Sequence, residues 1–223
     1  KASGGLDLAL IVNQGPEIAA AAVFTTNRCL ANPIIWSKQV IADGAARAII
    51  LNSGGANCYT GSQGFQTTHA TAEKVAELLG DSASDVLVCS TGLIGEQLDR
   101  DKLLAGATAA HAALSVESGE SIARAIMTTD SVPKLSERHS KAGWSIGGIA
   151  KGAGMLAPGL ATMLVVITTD ATVESAALDR ALRAATRVSF DRLDSDGCMS
   201  TNDQVTLMAS GASGVAPEEA EFQ

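Results

Sequence analysis

Short apolar, β-favouring runs recur along this chain, separated by longer Ala-rich amphipathic stretches, and this alternation restricts the fold more than any other feature. Strands are expected over Ala9 to Asn13, Ala20 to Thr25, Ala48 to Asn52, Asp85 to Cys89, Trp144 to Ala150 and Met163 to Thr168. Helices fit between them. A helix over Thr67 to Leu79 places Ala72, Val75, Ala76 and Leu79 on one face, and one over Glu174 to Phe190 aligns Ala177, Leu178, Ala181, Leu182 and Ala185. Two more are predicted over Asp101 to Leu114 and Glu120 to Met127, and Pro217 to Glu221 looks like a helix start. Aromatic residues make up only 3% of the chain, so the core must be built from Val, Ile, Leu and Ala packed closely. That favours layered sheets and helices. With 223 residues and 46% apolar content the chain can bury a substantial core, as one domain or two small ones. No repeat, low-complexity segment or long linker marks a boundary.

A net charge of -8 argues against nucleic acid, because phosphate binding needs a basic face that releases counterions. An acidic membrane surface is disfavoured for the same reason. Purely apolar stretches such as Met163 to Ile167 and Ala48 to Leu51 are too short to span a bilayer, and no charged-then-apolar leader opens the chain. A cytoplasmic protein is therefore expected. The chain begins at Lys1 without Met and stops just after the acidic stretch at Pro217 to Glu221, which predicts a piece of a longer polypeptide. Cys29, Cys58, Cys89 and Cys198 are widely spaced, with no CxxC and no His at ligand spacing, so buried free thiols are expected rather than a zinc site or disulfide framework. His69, His111 and His139 are equally scattered and read as surface or helix residues.

The most unusual segment is Lys151-Gly152-Ala153-Gly154-Met155-Leu156-Ala157-Pro158-Gly159-Leu160-Ala161-Thr162, followed at once by the apolar run Met163 to Ile167. Its glycines and Pro158 make a loop, so Thr162 sits where a Gly-rich connection enters a buried strand. A threonine hydroxyl is a poor nucleophile unless a base takes its proton, and the chain offers no Ser/His/Asp or Cys/His constellation. One solution needs no histidine. If the bond between Ala161 and Thr162 is cut, Thr162 gains a free α-amine whose reference pKa of about 7.7 to 8.0 suits a general base near neutral pH. On physical grounds alone, a plain strand residue is the preferred reading of Thr162.

That segment, with Ala161-Thr162-Met163-Leu164, resembles the autoproteolysis motif of the ornithine acetyltransferase (glutamate N-acetyltransferase) family. Further matches follow in order: Leu51 to Asn57, Cys89 to Gly95, Ala125 to Asp130, and Ser200-Thr201-Asn202-Asp203. Together they cover nearly the whole chain. The resemblance implies a layered α/β/β/α fold, with residues 1–161 forming an α-chain and residues 162–223 the start of a β-chain. It implies that Thr162 is the nucleophile, that Thr91 and Gly92 form the oxyanion hole, and that Thr128, Lys151 and Thr162 contact substrate. It further implies transfer of acetyl from N-acetylornithine to glutamate, in arginine biosynthesis, by a cytoplasmic heterotetramer of two α- and two β-chains. No cofactor is expected, and no motif decides whether acetyl-CoA serves as a co-substrate.

The residues also carry plainer readings. Thr91 and Gly92 could make a simple strand-to-helix turn, Lys151 could snorkel to solvent, and Thr129 and Asp130 could cap the preceding helix. Gly152-Ala153-Gly154 lacks the third glycine and the context of a nucleotide loop. Asp194-Ser195-Asp196-Gly197, with Asp203 downstream, departs from EF-hand spacing and reads as a turn with solvated carboxylates, so no metal is expected. Two rival functions stand beside the transferase: a self-cleaving aminopeptidase or amidase of the same architecture, in which water accepts the acyl group, and a non-catalytic small-molecule-binding domain.

Overall fold

The computed structural model describes residues 4–155 and 163–222. Their strands form two sheets. In the first, β1 (Leu8–Val12), β3 (Ala48–Asn52) and β4 (Val86–Ser90) lie in the order β1-β3-β4, with β3 antiparallel to β1 and parallel to β4. The second runs β2 (Ala19–Phe24), β8 (Gln204–Ala209), β7 (Leu164–Thr169), β6 (Ser145–Lys151) and β5 (Lys134–His139), and its one parallel pair is β7 with β8. Each parallel pair needs a crossover, supplied by α2 (Gly61–Leu79) between β3 and β4 and by α5 (Ser175–Val188) between β7 and β8.

The two-residue period of the strands then sorts the core. Ala9, Ile49, Leu51, Leu87 and Cys89 of the first sheet meet Ala20, Ile149, Leu164, Val166 and Met208 of the second. Alternate residues face outward. Leu10, Ala48, Ile50, Val86 and Val88 pack on Ala72, Val75 and Ala76 of α2 and on Ala107 of α3 (Arg100–Ala112). On the far side, Ala21, Val23, Val165, Val205 and Leu207 pack on Leu178 and Leu182 of α5. The result is the α/β/β/α layering that the resemblance implies. Burying a side chain such as Leu51 or Leu87 fully, as here, contributes roughly 1.5–3 kcal/mol. α4 (Gly119–Ala125) packs on β1 of one sheet and on β5 and β6 of the other, and α1 (Asn32–Val40) packs on β4 and α2. The short α6 (Glu219–Phe222) ends the description.

β3 has the expected bounds, and β1, β2, β4, β6 and β7 are each displaced from expectation by one residue at both ends. α1, β5 and β8 were not expected. α2 begins at Gly61 rather than Thr67, because its first turn is packed on a polar cage. A Cβ on Gly64 would lie 2.0 Å from Thr60 Oγ1, 2.4 Å from Asn57 Oδ1 and 2.5 Å from Asn32 Nδ2. The expectation of four buried thiols holds for Cys58 and Cys89 only. Cys29 and Cys198 are exposed because each sits in a turn, its N–H capped by Asn27 Oδ1 and Asp196 Oδ1 respectively. His69 and His139 are exposed, and His111 lies in the last turn of α3. No helix among the described residues is long and apolar enough to cross a membrane.

Candidate functional site

At one rim of the sandwich the apolar interface between the sheets gives way to buried polar groups: Asn52, Ser90, Thr91, Lys151, Asn202 and Asp203. Buried polar atoms must find partners, so the hydrogen bonds among them define the geometry of this rim. Thr91 follows β4. Its N–H donates to Asn52 O at 2.9 Å, and it forms an isolated antiparallel bridge with Gly55. The Ser90 hydroxyl donates to Asn52 Oδ1 at 2.5 Å, and Asn52 Nδ2 donates to Gly55 O at 3.0 Å, fixing the turn from below. Gly92 continues it with φ +131°, and a Cβ there would lie 2.9 Å from both Cα and N of Gly55. Only glycine fits.

Lys151, the last residue of β6, is 2% exposed, so the snorkelling reading is overturned. The strand alternation that turns Ile149 toward the opposite sheet turns Lys151 the same way, and its Nζ donates to Thr91 Oγ1 at 3.0 Å. With Lys151 as donor, the proton of the Thr91 hydroxyl remains available for another acceptor. A buried ammonium beside a hydroxyl and a Gly turn can stabilise a negative oxygen, because its charge is not screened by water.

Asp203 faces the same region and is fully buried. Burial pushes its pKa up to about 7, against the N–H of Met163 and the Lys151 ammonium, which pull it down. Its Oδ1 accepts from Met163 N at 3.0 Å, while Oδ2 has no hydrogen-bond partner among the described residues. Asp130 behaves oppositely. Burial raises its pKa, but the Lys134 ammonium and the N–H groups of Gly152 and Thr128 outweigh that and hold it below the usual carboxylate value. Those N–H groups donate at 2.7 Å and 3.3 Å, so one carboxylate ties exposed Thr128 to the residue after Lys151. Asp130 is thus more than a helix cap.

The structure therefore brings Thr91, Gly92 and Lys151 together and links Thr128 to them through Asp130 and Gly152. Ala161 and Thr162 lie outside the described residues. Asn202 and Asp203 were legible only as part of a matched motif with no role attached. They stand directly before β8 (Gln204–Ala209), a strand buried throughout. The Asp194 and Asp196 carboxylates are engaged by backbone: Asp194 accepts from Gly197 N at 3.0 Å, and Asp196 from Cys198 N at 3.1 Å and Met155 N at 2.8 Å. Among the described residues, no group of three or more His, Cys, Asp or Glu is arranged to hold a metal ion.

Comparison with known proteins adds a lineage to this geometry. The model of the ArgJ family matches residues 1–223. The arginine biosynthesis bifunctional protein ArgJ of Streptomyces coelicolor is 64% identical over 218 residues, which cover 98% of this chain and 57% of that protein. The chain thus spans little more than half the length of such relatives. Among solved structures, the ornithine acetyltransferase of Mycobacterium tuberculosis complexed with ornithine superposes with a TM-score of 0.70 at 51% identity, over 74% of this chain and 87% of that one. The arginine biosynthesis bifunctional protein ArgJ of Bacillus halodurans gives 0.58 at 30% identity, over 71% and 83%. With a match along its whole length and relatives this similar, the chain belongs to the ArgJ family.

Proposed function

We propose that this chain carries an acetyl-transfer site of arginine biosynthesis, which moves acetyl from N-acetylornithine to glutamate through an ester on Thr162. One observation carries the reading: the contact between buried Lys151 Nζ and Thr91 Oγ1, at the rim where Met163 leads into β7. Met163, the residue that follows Thr162 in sequence, is the last before that strand. The relatives' names point to the same chemistry, in an arginine biosynthesis protein and an ornithine acetyltransferase.

The reaction has two stages. In the first, the Thr162 hydroxyl attacks the carbonyl carbon of Ala161. The C–N bond breaks, the nitrogen takes the proton, and water hydrolyses the resulting ester to leave a carboxylate on Ala161 and a free amine on Thr162. In the second, that amine takes the proton of its own hydroxyl, which attacks the acetyl carbonyl of N-acetylornithine. The Thr91 hydroxyl and Gly92 N–H hold the oxyanion, a contribution of roughly 2.7–4 kcal/mol per donor. Ornithine leaves with the proton, and the amine of glutamate then attacks acetyl-Thr162 to give N-acetylglutamate. Lys151 and Thr128 bind the substrate, with Lys151 suited to the carboxylate common to both amino acids. The cycle uses no cofactor, and acetyl-CoA is a candidate co-substrate. Two α-pieces ending at Ala161 and two β-pieces beginning at Thr162 assemble as a heterotetramer in the cytoplasm.

The test is the intact mass of the denatured full-length polypeptide, with and without N-acetylornithine. Two masses that sum to the whole plus one water, split before Thr162, with a substrate-dependent acetyl increment on the C-terminal piece, are expected. Thr162→Ala should stay in one piece and never acquire acetyl. Cleavage or turnover by that variant would remove Thr162 from the mechanism, and ornithine release indifferent to glutamate would favour hydrolysis over transfer.

A further inference from the structure

The pair Asn202-Asp203 has no part in the scheme above, yet both residues are buried at the rim, 5% and 0% exposed. Successive side chains of an extended segment point in opposite directions. Asn202 Nδ2 donates to Ala56 O at 2.6 Å and to Ser90 O at 2.9 Å, gripping the two backbone segments of the first sheet that meet at the Gly55–Thr91 bridge. Asp203 Oδ1 accepts from Met163 N at 3.0 Å, and Gln204 N donates back to Met163 O at 3.2 Å, gripping the entrance of β7 in the second sheet. The pair is itself immobilised. Thr201 Oγ1 donates to Asn202 Oδ1 at 2.5 Å, Asn202 N donates to Ser200 Oγ at 3.1 Å, and Thr25 N donates to Asp203 O at 2.9 Å.

We infer that Asn202 and Asp203 are positioning residues: together they form a clamp that sets the distance between the Thr91-Gly92 turn and the strand entrance at Met163. The inference rests on the acetyl-transfer reading, in which these two elements hold the oxyanion and the nucleophile. The two halves of such a site lie in different sheets, and sheets joined by apolar packing alone have no directional contact to fix their offset. At this rim, hydrogen bonds from adjacent residues to both sides supply it, beside the Lys151–Thr91 contact. The hydrogen bonds of the clamp go to backbone groups of the two elements, so it acts through their spacing and its loss should lower turnover rather than binding.

The experiment compares Asn202→Ala, Asp203→Ala and Asp203→Asn with wild type, Thr162→Ala and Ser37→Ala in the full-length polypeptide. Steady-state rates of ornithine release are read at a temperature where each is folded. Ser37 is the control because its hydroxyl donates to Val88 O at 2.9 Å and accepts from Val88 N at 3.0 Å, so Ser37→Ala also removes two buried hydrogen bonds from β4. Asn202→Ala and Asp203→Ala should each lose about 10²-fold in kcat, the effect of a misplacement of about 1 Å, with KM little changed. Asp203→Asn, which keeps an oxygen for Met163 N–H, should recover most of the loss, and Ser37→Ala should keep the wild-type kcat.

If Asn202→Ala does not fold, Asn202→Asp replaces it. That variant keeps the shape but turns a carboxylate toward two carbonyl oxygens, so its kcat should rise as falling pH converts the carboxyl to a donor. A pH profile parallel to wild type would overturn the inference. So would Asn202→Ala and Asp203→Ala matching Ser37→Ala, or Asp203→Asn doing no better than Asp203→Ala. If wild type itself neither cleaves nor transfers acetyl, the underlying reading fails and the clamp with it. If wild type turns over and only the variants refuse to differ from it, the clamp alone fails.

Discussion

Replacing Gly92 with alanine should damage both stability and turnover, and the structure sets the scale. The residue has φ +131°, a conformation that costs a residue bearing Cβ about 1–3 kcal/mol. The added methyl would also sit 2.9 Å from Gly55 Cα and N and 3.2 Å from Gly54 C, all of them backbone. Gly55 has little room to retreat, since Asn52 Nδ2 holds its carbonyl and Ala56 N donates to Leu93 O at 2.8 Å. Overpacking of this kind typically costs about 1–3 kcal/mol, so the total is about 2–6 kcal/mol. Even the lower figure implies a Tm drop of about 4–8 °C for a chain of this size. If the turn instead swings away to relieve the clash, the Gly92 N–H leaves the oxyanion position and kcat falls about 10²- to 10³-fold. Thermal unfolding and ornithine-release kinetics of Gly92→Ala distinguish the two routes. An unchanged Tm together with wild-type kcat would refute the reasoning, because neither cost would then exist.

Three further outcomes are expected. Lys151→Met should keep the fold, since methionine fills similar apolar volume without a buried charge, but should lower kcat/KM for N-acetylornithine by about 10²-fold if the ammonium pairs with the substrate carboxylate, about 3 kcal/mol; a wild-type value would exclude that pairing. Asp203 has a folded-state pKa raised from 3.8 to about 7, so it binds a proton more tightly folded than unfolded, and its ionisation erodes stability progressively from about pH 4 through pH 7 by an amount on the order of 4 kcal/mol. The Tm of Asp203→Asn relative to wild type should therefore rise between pH 5 and pH 8, and a pH-independent difference would contradict the assignment. Asp130→Asn should cost about 1–3 kcal/mol in urea unfolding at pH 7 and raise KM more than it lowers kcat, because that carboxylate aligns Thr128 with Gly152; the stability it contributes is present above pH 4 and lost as pH falls through its depressed folded-state value, so equal sensitivity of variant and wild type to acid would argue against it.

Strands with apolar content on both faces were legible from the sequence because burial on both sides leaves an unmistakable run, as in Ala48–Asn52. β5 was not, since its residues Lys134 to His139 are all exposed and it joins the sheet through backbone pairing with β6 alone. β8 was missed for a different reason. Gln204 and Thr206 turn inward beside Met208 and bond to each other at 3.0 Å, so polar residues occupy core positions and interrupt the pattern. α1 is short, with Pro33 in its first turn, and its helical period barely develops. At the site, the family resemblance rather than the residue types pointed to Thr91, Gly92, Thr128 and Lys151, and the burial of Lys151 depends on which way a strand end faces between two sheets. Only the register of β6 against β7, pairing Lys151 with Leu164, decides that. The use made of Asn202 and Asp203 is likewise invisible in one dimension, because Ala56, Ser90 and Met163 are distant in sequence.

The strand order β2-β8-β7-β6-β5 has a consequence for the integrity of the molecule after a backbone cut. β7 and β8 follow Thr162 in the chain, yet they are sandwiched between β6 and β2, which precede it. Severing the bond before Thr162 would leave the C-terminal piece stitched along both flanks by the ladders β6–β7 and β2–β8, with α5 strapped across β2 on the outer face. Release would require tearing both ladders at once, so the two pieces should travel together through native chromatography and part only under denaturant. The same interleaving means that β2, made early in synthesis, must wait for β8, made near the end of these residues, before its sheet can close.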